Sequence, residues 1–321
     1  MNQDTQQITV HQLVADLRSH KAVVYWFDLA ICLTVLWGGL LWACMTQHVG
    51  LVVGLALAAS FALYRAALFS HEISHFGKGT LPGFTLVWNA LCGVPLLMPS
   101  FMLRSHVDHH RTASYGTAND PEYLPFAAYP QLKRSFWLGS ALVPVSFMIR
   151  SCVVVPVAWF SPRMRRWLRG HMSFLVMNNA FRPSSAMQEL SRFDKVCEAG
   201  CTVWIYGLLG LMASQLVPWR FGALLLLCMT VANLVNAWRT LATHRYALTC
   251  HTMNGLAQAQ DSSTFTLPAI WGELVCPVGQ RFHAAHHLLP YLPYHSLAQA
   301  HQRLLAVHWP GRDMYLQSLR Q

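Results

Sequence analysis

The sequence predicts an all-α integral membrane protein, with four transmembrane helices in two hairpins and a cytoplasmic helical cap that holds a histidine-rich dimetal site. The first observation is compositional: 54% of the 321 residues are hydrophobic and 11% are charged, whereas a typical soluble domain carries about 25% charged residues. The second is a set of four apolar segments, each close to the roughly 20 residues that a membrane-crossing helix needs. The third is a histidine pattern repeated in the segments that follow the apolar ones.

The chain divides into a polar N-terminal segment, residues 1–22, and a single membrane domain, residues 23–321. The N-terminal segment lacks the basic stretch and short apolar core of a secretory signal, so we expect the first apolar run to remain as a membrane anchor. The short polar turns "TQH" and "PWR" indicate two helical hairpins. Because most lysines and arginines lie outside these turns, the positive-inside rule predicts cytoplasmic termini. The predicted spans are residues 23–45, 49–69, 199–217 and 221–238.

The net charge of +10 indicates contact with a membrane surface rather than with nucleic acid. The densest basic cluster, "SPRMRRWLRG" at 161–170, flanks an apolar stretch, and such flanks favour anionic lipid headgroups. The nine cysteines include no Cys-x-x-Cys pair, and several lie within apolar runs, where a thiol behaves as a small hydrophobic group. We therefore expect neither a disulfide framework nor a cysteine metal site.

Three histidine clusters carry the chemistry: "HEISH" at 71–75, "HVDHH" at 106–110 and "HAAHH" at 283–287. On a helix, histidines three or four residues apart share a face. Eight imidazoles exceed what one ion binds, which predicts two ions. Imidazole suits zinc, copper, iron and nickel, and a site without thiolates favours redox-active iron over structural zinc. The candidate ligands are His71, His75, His106, His109, His110, His283, His286 and His287.

Two further apolar stretches, residues 81–103 and 136–160, are ambiguous. Each taken alone is long enough to cross a membrane. A single crossing at either place would put two histidine clusters on opposite faces, and each stretch is too short to cross twice. If the clusters share one site, we expect interfacial or re-entrant helices at both places.

The "HEISH" cluster also matches His-Glu-x-x-His, the zinc-protease pattern in which the glutamate is the general base. An intramembrane zinc protease is thus an alternative, but it leaves the two His-x-x-His-His clusters unexplained. In the dimetal interpretation, Glu72 and Asp108 are candidates to accept a hydrogen bond from a ligand N–H. Seven histidines are expected to be ordinary surface or hydrogen-bonded residues: His11, His20, His48, His171, His295, His301 and His308.

The three clusters, in this order and after these spans, resemble the boxes of the membrane fatty acid desaturase family. The stretch "HHLLPYLPYHSL" that includes the end of the last cluster is also similar to the family. The stretch "YGTANDPEYLPF" at 115–126 resembles a stretch found in bacterial members of the family. The resemblance covers roughly residues 25–300.

The resemblance implies a four-span protein of the bacterial inner membrane, with a cytoplasmic pair of irons that activates dioxygen. Removal of a hydrogen from an unactivated acyl carbon, then of a second hydrogen, would leave a double bond. Two electrons per turnover would come from an external donor, ferredoxin or a b-type cytochrome. Family members have a ninth histidine after the fourth span; His244 matches it, with His251 as the alternative. Some relatives have an asparagine four residues before that histidine, where Thr240 stands here, so that feature is not carried over.

The sequence therefore predicts a desaturase acting on the acyl chain of a lipid or an acyl thioester. A hydroxylase or ketolase on the same site is the alternative, because the first hydrogen abstraction is shared. An acyl C–H bond offers no polar group for recognition, so an apolar tunnel must position it by shape. Five tryptophans are candidates for the tunnel, with packing or interfacial anchoring the favoured interpretation for each: Trp88, Trp137, Trp159, Trp204 and Trp271.

Overall fold

The protein is helical in the computed structural model, which describes residues 9–247 and 253–319. β-type pairing within these residues is limited to two isolated bridges, His244 with Ser262 and Thr264 with Phe282. Five described helices are long and apolar enough to cross a membrane. They are α1 (Ala22–Met45), α2 (Val49–His75), α3 (Val143–Phe160), α4 (Arg192–Ala213) and α5 (Trp219–Thr243).

Shorter helices connect the long ones and form a C-terminal cap. The N-terminal ones are Val10–Leu13 and Ala15–Leu17. Those between α2 and α3 are Phe84–Gly93, Ser100–Leu103, His106–His109 and Gln131–Ser140. Pro162–His171 and Ser185–Gln188 lie between α3 and α4. The described helices after α5 are Gly255–Asp261, Ala269–Val275, His283–Leu288, Tyr294–Ser296, Leu297–Ala306 and Arg312–Gln317.

Four of the long helices correspond to the four predicted spans, although α4 ends at Ala213 and not at residue 217, and α2 continues through "HEISH" as expected. α4 begins at Arg192, earlier than predicted, because Ser191 and Asp194 form a capping box that satisfies the first backbone N–H groups. α3 covers most of residues 136–160, where we predicted an interfacial or re-entrant helix. By length and composition α3 is a fifth candidate span, so the count of four remains a prediction.

Besides the four-residue 3-10 helix Ser100–Leu103, the other ambiguous stretch, residues 81–103, contains one short apolar helix, Phe84–Gly93. At 1.5 Å per residue such a helix reaches about 15 Å, half of the roughly 30 Å hydrocarbon core. Trp88 anchors it to α2, since its indole N–H donates to the Ala66 carbonyl at 2.8 Å. This segment therefore packs against α2 and is too short to form a span.

A buried ionic cluster joins α3 to α4. Arg150, near the middle of α3, is 1% exposed, and its Nη2 donates to Glu198 Oε1 at 2.6 Å. Arg169 donates to the other oxygen of the same carboxylate at 2.8 Å. Arg150 Nε also donates to the Met172 carbonyl at 2.7 Å. One carboxylate and two guanidinium groups thus fix the place where α3 crosses α4.

Polar contacts also tie the first hairpin to the C-terminal third of the chain. Asp28 on α1 accepts hydrogen bonds from Arg65 on α2 at 2.6 and 2.7 Å, and from the Tyr294 hydroxyl at 2.8 Å. Glu72 accepts from the Tyr25 hydroxyl at 2.5 Å and from the Tyr294 N–H at 3.1 Å. The segment after the third histidine cluster is therefore held against α1 and α2.

The C-terminal helices form a second core against which the N-terminal segment packs. Asp16 pairs with Arg303 across this contact, with 2.7 Å between Oδ2 and Nη2. Ala284 and Ala285, in the third histidine cluster, are fully buried in this core. The described part of the N-terminal segment and the C-terminal helices therefore lie together. Other members of this core include Val14, Leu17, Leu289, Leu304, Trp309 and Tyr315.

Glu198→Ala should destabilise the protein strongly, because it leaves two guanidinium groups near the α3–α4 contact without their carboxylate. Removing one partner of a buried ion pair costs about 3–5 kcal/mol. We expect a large fall in the thermal unfolding midpoint of the detergent-solubilised protein. Arg163→Ala, at an exposed arginine of the neighbouring helix, should change the unfolding free energy by less than about 0.5 kcal/mol. Equal midpoints for Glu198→Ala and the wild type would contradict this role.

Candidate metal centre

Two long helices and two short ones bring the histidine clusters together. α2 ends at His75, so His71 and His75 lie one turn apart on one face, with ring centroids 5.1 Å apart. The second cluster forms the short helix His106–His109, and the third begins the helix His283–Leu288. His244 is the first residue after α5. Each cluster therefore sits at the end of a helix or within a short one, where its rings can project into a shared space.

The imidazole rings form two adjacent groups, and within each group the ligand nitrogens lie within 4.8 Å of one another. His283 borders the second group, because its Nε2 lies 2.9 Å from Nε2 of His244 and 3.1 Å from Nε2 of His287. The two groups touch, with the ring centroids of His110 and His287 4.5 Å apart. The structure thus brings all nine candidate histidines together. The first group is His71, His75, His106, His110 and His286, and the second is His109, His244 and His287.

Within the part of the chain that the structure describes, several ring nitrogens in these groups are buried without a hydrogen-bond partner. Both nitrogens of His71 lack one, as do Nε2 of His75 and Nε2 of His109. A buried polar atom without a partner costs about 1–3 kcal/mol. A metal ion would bind these lone pairs directly, and the donor set consists of imidazole nitrogens alone. The residues therefore fit two metal ions that accept nitrogen ligands.

Burial keeps most of these rings in the neutral form that binds metals. It lowers the pKa of His110, His286 and His287 well below the usual value, and neighbouring histidines lower it further. The His109 ring differs from them. Burial by itself would lower its pKa, but the carboxylate of Asp120 raises it above the usual value. The second group thus contains one imidazole made more basic by a neighbouring carboxylate.

Two carboxylates hold imidazoles by Nδ1 and leave Nε2 to face the groups. Asp120 lies 2.9 Å from Nδ1 of His109, and Glu122 lies 2.7 Å from Nδ1 of His106. Burial would raise the pKa of Glu122, but the adjacent histidines lower it to about 2. Such contacts fix the tautomer and the orientation of a metal ligand. Neither role was predicted from the sequence, although both residues stand in the quoted stretch 115–126, shortly after the second cluster.

A third ring is held through a tyrosine. Nδ1 of His244 lies 3.1 Å from the Tyr115 hydroxyl, which donates to the buried Asp261 at 2.9 Å. The hydroxyl of Tyr123 donates to the same carboxylate oxygen at 3.1 Å. Because Asp261 accepts from both tyrosines, the Tyr115 oxygen is left to accept the His244 N–H. The sequence offered no periodic signal for this contact, since its members are far apart in the chain.

The two acceptors predicted from the sequence, Glu72 and Asp108, contact other groups. Glu72 accepts hydrogen bonds from Tyr25 and Tyr294, and Asp108 pairs with Arg111 at 2.7 Å. Each directly adjoins a cluster histidine on a helix and so points about 100° away from it. The contacts to histidine nitrogens that we predicted for Glu72 and Asp108 are made by Asp120 and Glu122 instead. The engaged Glu72 carboxylate also lacks the freedom that a zinc-protease general base needs.

The remaining histidines agree with their expected ordinary roles. None of the seven belongs to either group. His11, for example, contacts the Tyr291 hydroxyl at 2.8 Å near the surface. Of the two alternatives for the ninth ligand, His244 lies in the second group, whereas His251 falls outside the described residues.

A cavity of about 400 Å³ begins at the first histidine group and runs between α2 and α5. Its volume is typical of a small-molecule site. His71, His106 and Glu122 line one end. The cavity therefore joins the histidines to an apolar space between long helices. Apolar residues dominate the rest of the lining, among them Leu63, Leu96, Val143, Phe147, Met229 and Ala232.

The five tryptophans named as tunnel candidates do not line this cavity. The indole N–H groups of Trp88, Trp137 and Trp204 donate to backbone carbonyls at 2.8, 3.1 and 3.1 Å. Trp159 and Trp271 are exposed. These positions agree with the favoured interpretation of packing or interfacial anchoring.

Tyr115→Phe should weaken metal binding by the second group, because it removes the hydroxyl that orients His244. The substitution leaves the aromatic ring of residue 115 in place. Loss of such a contact typically costs about 10–100-fold in metal affinity. We would measure the iron retained by the purified protein against a graded series of chelators. Tyr129→Phe, at a tyrosine that is 53% exposed, should retain iron as the wild type does. Equal retention by the two variants would contradict the orienting role of Tyr115.

The sequence matches known proteins over most of its length. The family model described as "Fatty acid desaturase" matches residues 46–318. A ceramide hydroxylase from Caulobacter vibrioides (strain NA1000 / CB15N) is 37% identical over 298 residues, which cover 91% of this chain and 84% of that protein. No solved structure matches the chain. Family membership removes the zinc protease from the alternatives. With its histidine boxes assembled and the family model matched over most of its length, the chain belongs to the fatty acid desaturase family.

Proposed function

We propose that the protein is an iron-dependent membrane hydroxylase that acts on a ceramide-class lipid. The observation that carries the proposal is the pair of touching imidazole groups at one end of an apolar cavity. The family supports an oxidoreductase acting on a lipid chain. The similarity to a ceramide hydroxylase favours the hydroxylase over the desaturase that the sequence analysis predicted.

The nine histidines are proposed as the ligands of two iron ions. The first ion would be held by the five histidines of the first group, and the second by His109, His244 and His287 together with His283. When bound, the irons supply the activation of dioxygen and the oxidation of a C–H bond. In the balanced reaction, one C–H bond and dioxygen, with two electrons and two protons, give one C–OH group and one water. The electrons would come from an external donor, such as ferredoxin or a b-type cytochrome.

The protein's own residues would bind the lipid chain and orient the histidine ligands. Asp120, Glu122 and Tyr115 hold their histidine rings in one tautomer, so the ligand nitrogens need no rearrangement when an ion binds. The apolar cavity would take up a lipid chain and keep water away from the reacting carbon. The shape of the cavity would therefore set the position of the lipid chain, and hydrogen bonds would set the positions of the histidine ligands.

Desaturation is the second candidate, favoured by the description of the family. The two reactions share the removal of the first hydrogen. They differ in the second step: hydroxylation adds an oxygen atom, whereas desaturation removes a second hydrogen from the neighbouring carbon.

Mass spectrometry of lipids from a ceramide-producing host would separate these reactions. We expect the wild-type protein to add one oxygen atom to ceramide, and isotopically labelled dioxygen should supply that atom. His109→Ala should lose the product, because it removes a ligand of the second group. His308→Ala, at an exposed histidine outside both groups, should retain it. A product that has lost two hydrogens, with no oxygen gained, would overturn the hydroxylase proposal in favour of a desaturase.

We also propose that four helices cross the membrane, α1, α2, α4 and α5, with the histidine groups on the cytoplasmic side. Because the second and third clusters meet, an even number of crossings must lie between residues 110 and 283, so α3, α4 and α5 do not all cross. Arg150, at the middle of α3, bonds Glu198, which lies about 9 Å from the start of α4 at 1.5 Å per residue. The middle of α3 would therefore lie at a shallow depth. The basic cluster 161–170 that follows suits the cytoplasmic surface.

Cysteine labelling would test this topology in spheroplasts. Ala127→Cys and Arg163→Cys, at exposed positions before and after α3, should react with a membrane-impermeant maleimide only after the cells are opened. Gln215→Cys, at an exposed position between α4 and α5, should react in intact spheroplasts. The unmodified chain gives the background, since its described cysteines are buried or partly buried. Opposite accessibility of positions 127 and 163 would show that α3 crosses.

A further inference from the structure

The cavity has a polar wall at its histidine end. Asn236, Arg239 and Thr240 line it from the last turns of α5, and Asn233 lies one turn deeper. Residues three or four apart share a helix face, so these side chains form one continuous strip. The strip runs beside a cavity whose other walls are mainly apolar. A wholly apolar lipid tail could form no hydrogen bonds with such a strip.

Arg239 is the unusual member of this wall. Its Nη1 donates to Gln280 at 2.5 Å, and its Nη2 donates to Asn236 at 3.0 Å and to Thr240 at 3.1 Å. All three acceptors are neutral, and no ion pair is found for Arg239 within the described residues. Its Nε is buried and has no hydrogen-bond partner there. A guanidinium group carries five N–H donors, so this one can bond a further acceptor oxygen.

The cavity also has a direction. Along α5 its lining extends from Met229 to Thr240, which is about 16 Å at 1.5 Å per residue. Met229 is the lining residue of α5 farthest from the histidine end, whereas Arg239 lies near the end of α5 that adjoins His244. A lipid chain that enters the cavity would therefore place its tail away from the histidines. Its polar group would stay beside them.

We propose that Arg239 binds the amide carbonyl oxygen of the substrate, and that the oxidised carbon lies within a few bonds of that amide. The inference rests on the proposed function, whose ceramide-class substrate contains such an amide. Arg239 is then a residue that determines both substrate choice and the position of oxidation. Gln280, Asn236 and Thr240 hold the guanidinium in place through hydrogen bonds, and none of these three partners carries a charge.

Ligand binding by the detergent-solubilised protein tests the first half of the proposal without requiring turnover. The probes are a short-chain ceramide and n-hexadecane, which fills an apolar cavity but has no acceptor oxygen. Arg239→Leu should raise the dissociation constant for ceramide about tenfold to a hundredfold, as expected for a lost charge-assisted hydrogen bond. The constant for n-hexadecane should stay the same.

The control is Arg220→Leu, at the opposite end of α5 and outside the cavity lining, which should leave both dissociation constants unchanged. Unchanged ceramide binding in Arg239→Leu would overturn the proposal. So would an equal loss of ceramide and n-hexadecane binding, because it would indicate only a damaged cavity. This result is independent of whether the protein adds oxygen to ceramide, so it distinguishes failure of the inference from failure of the proposed hydroxylase function.

Tandem mass spectrometry of the wild-type product tests the second half. An oxygen on a carbon within a few bonds of the amide supports the proposal. An oxygen in the distal half of either chain overturns it, even though the hydroxylase function would then stand.

Discussion

The structure depends on one constraint: nine imidazole rings from separate parts of the chain must meet, and most must be uncharged. Burial achieves this because it disfavours the protonated form. The rings of the first group can then approach to centroid distances such as 4.4 Å between His71 and His106 without charge repulsion. Within the described residues several of their ring nitrogens have no hydrogen-bond partner, so anything that binds those nitrogens would stabilise the folded chain.

The rest of the fold holds these rings in position. The chain contains only 13 acidic residues, and several of them act as fixed points between elements. Asp28 joins α1 and α2 to the C-terminal region, Glu198 joins α3 to α4, and Asp120 orients a ring in the second group. Buried or partly buried charges of this kind are stabilised by pairing and hydrogen bonding. In a chain with so few charges, these three carboxylates therefore mark places where separate elements must meet in a defined arrangement.

The histidine groups could be predicted because their spacing is a local property that a helix converts into a shared face. The four predicted spans likewise follow from local hydrophobicity. The roles of Asp120, Glu122 and Asp261 could not be predicted in this way. Asp120 and Glu122 lie in a loop, which carries no periodic signal, and Asp261 ends a short helix whose partners come from other segments. α3 is ambiguous for a related reason. Its hydrophobicity permits a crossing, but the contact between Arg150 and Glu198 depends on tertiary packing.

The geometry of the cavity bears on the choice between hydroxylation and desaturation. Desaturation must remove hydrogens from two neighbouring carbons in turn, so the chain must present both to the same centre. A chain held only by apolar walls can slide by one carbon, since its contacts change little along its length. A chain held by a hydrogen bond from Arg239 to its amide cannot slide without breaking that bond. If the substrate is anchored in this way, one carbon would stay closest to the bound metals after the first hydrogen is lost, and the arrangement would favour adding oxygen at that carbon over removing hydrogen from the next.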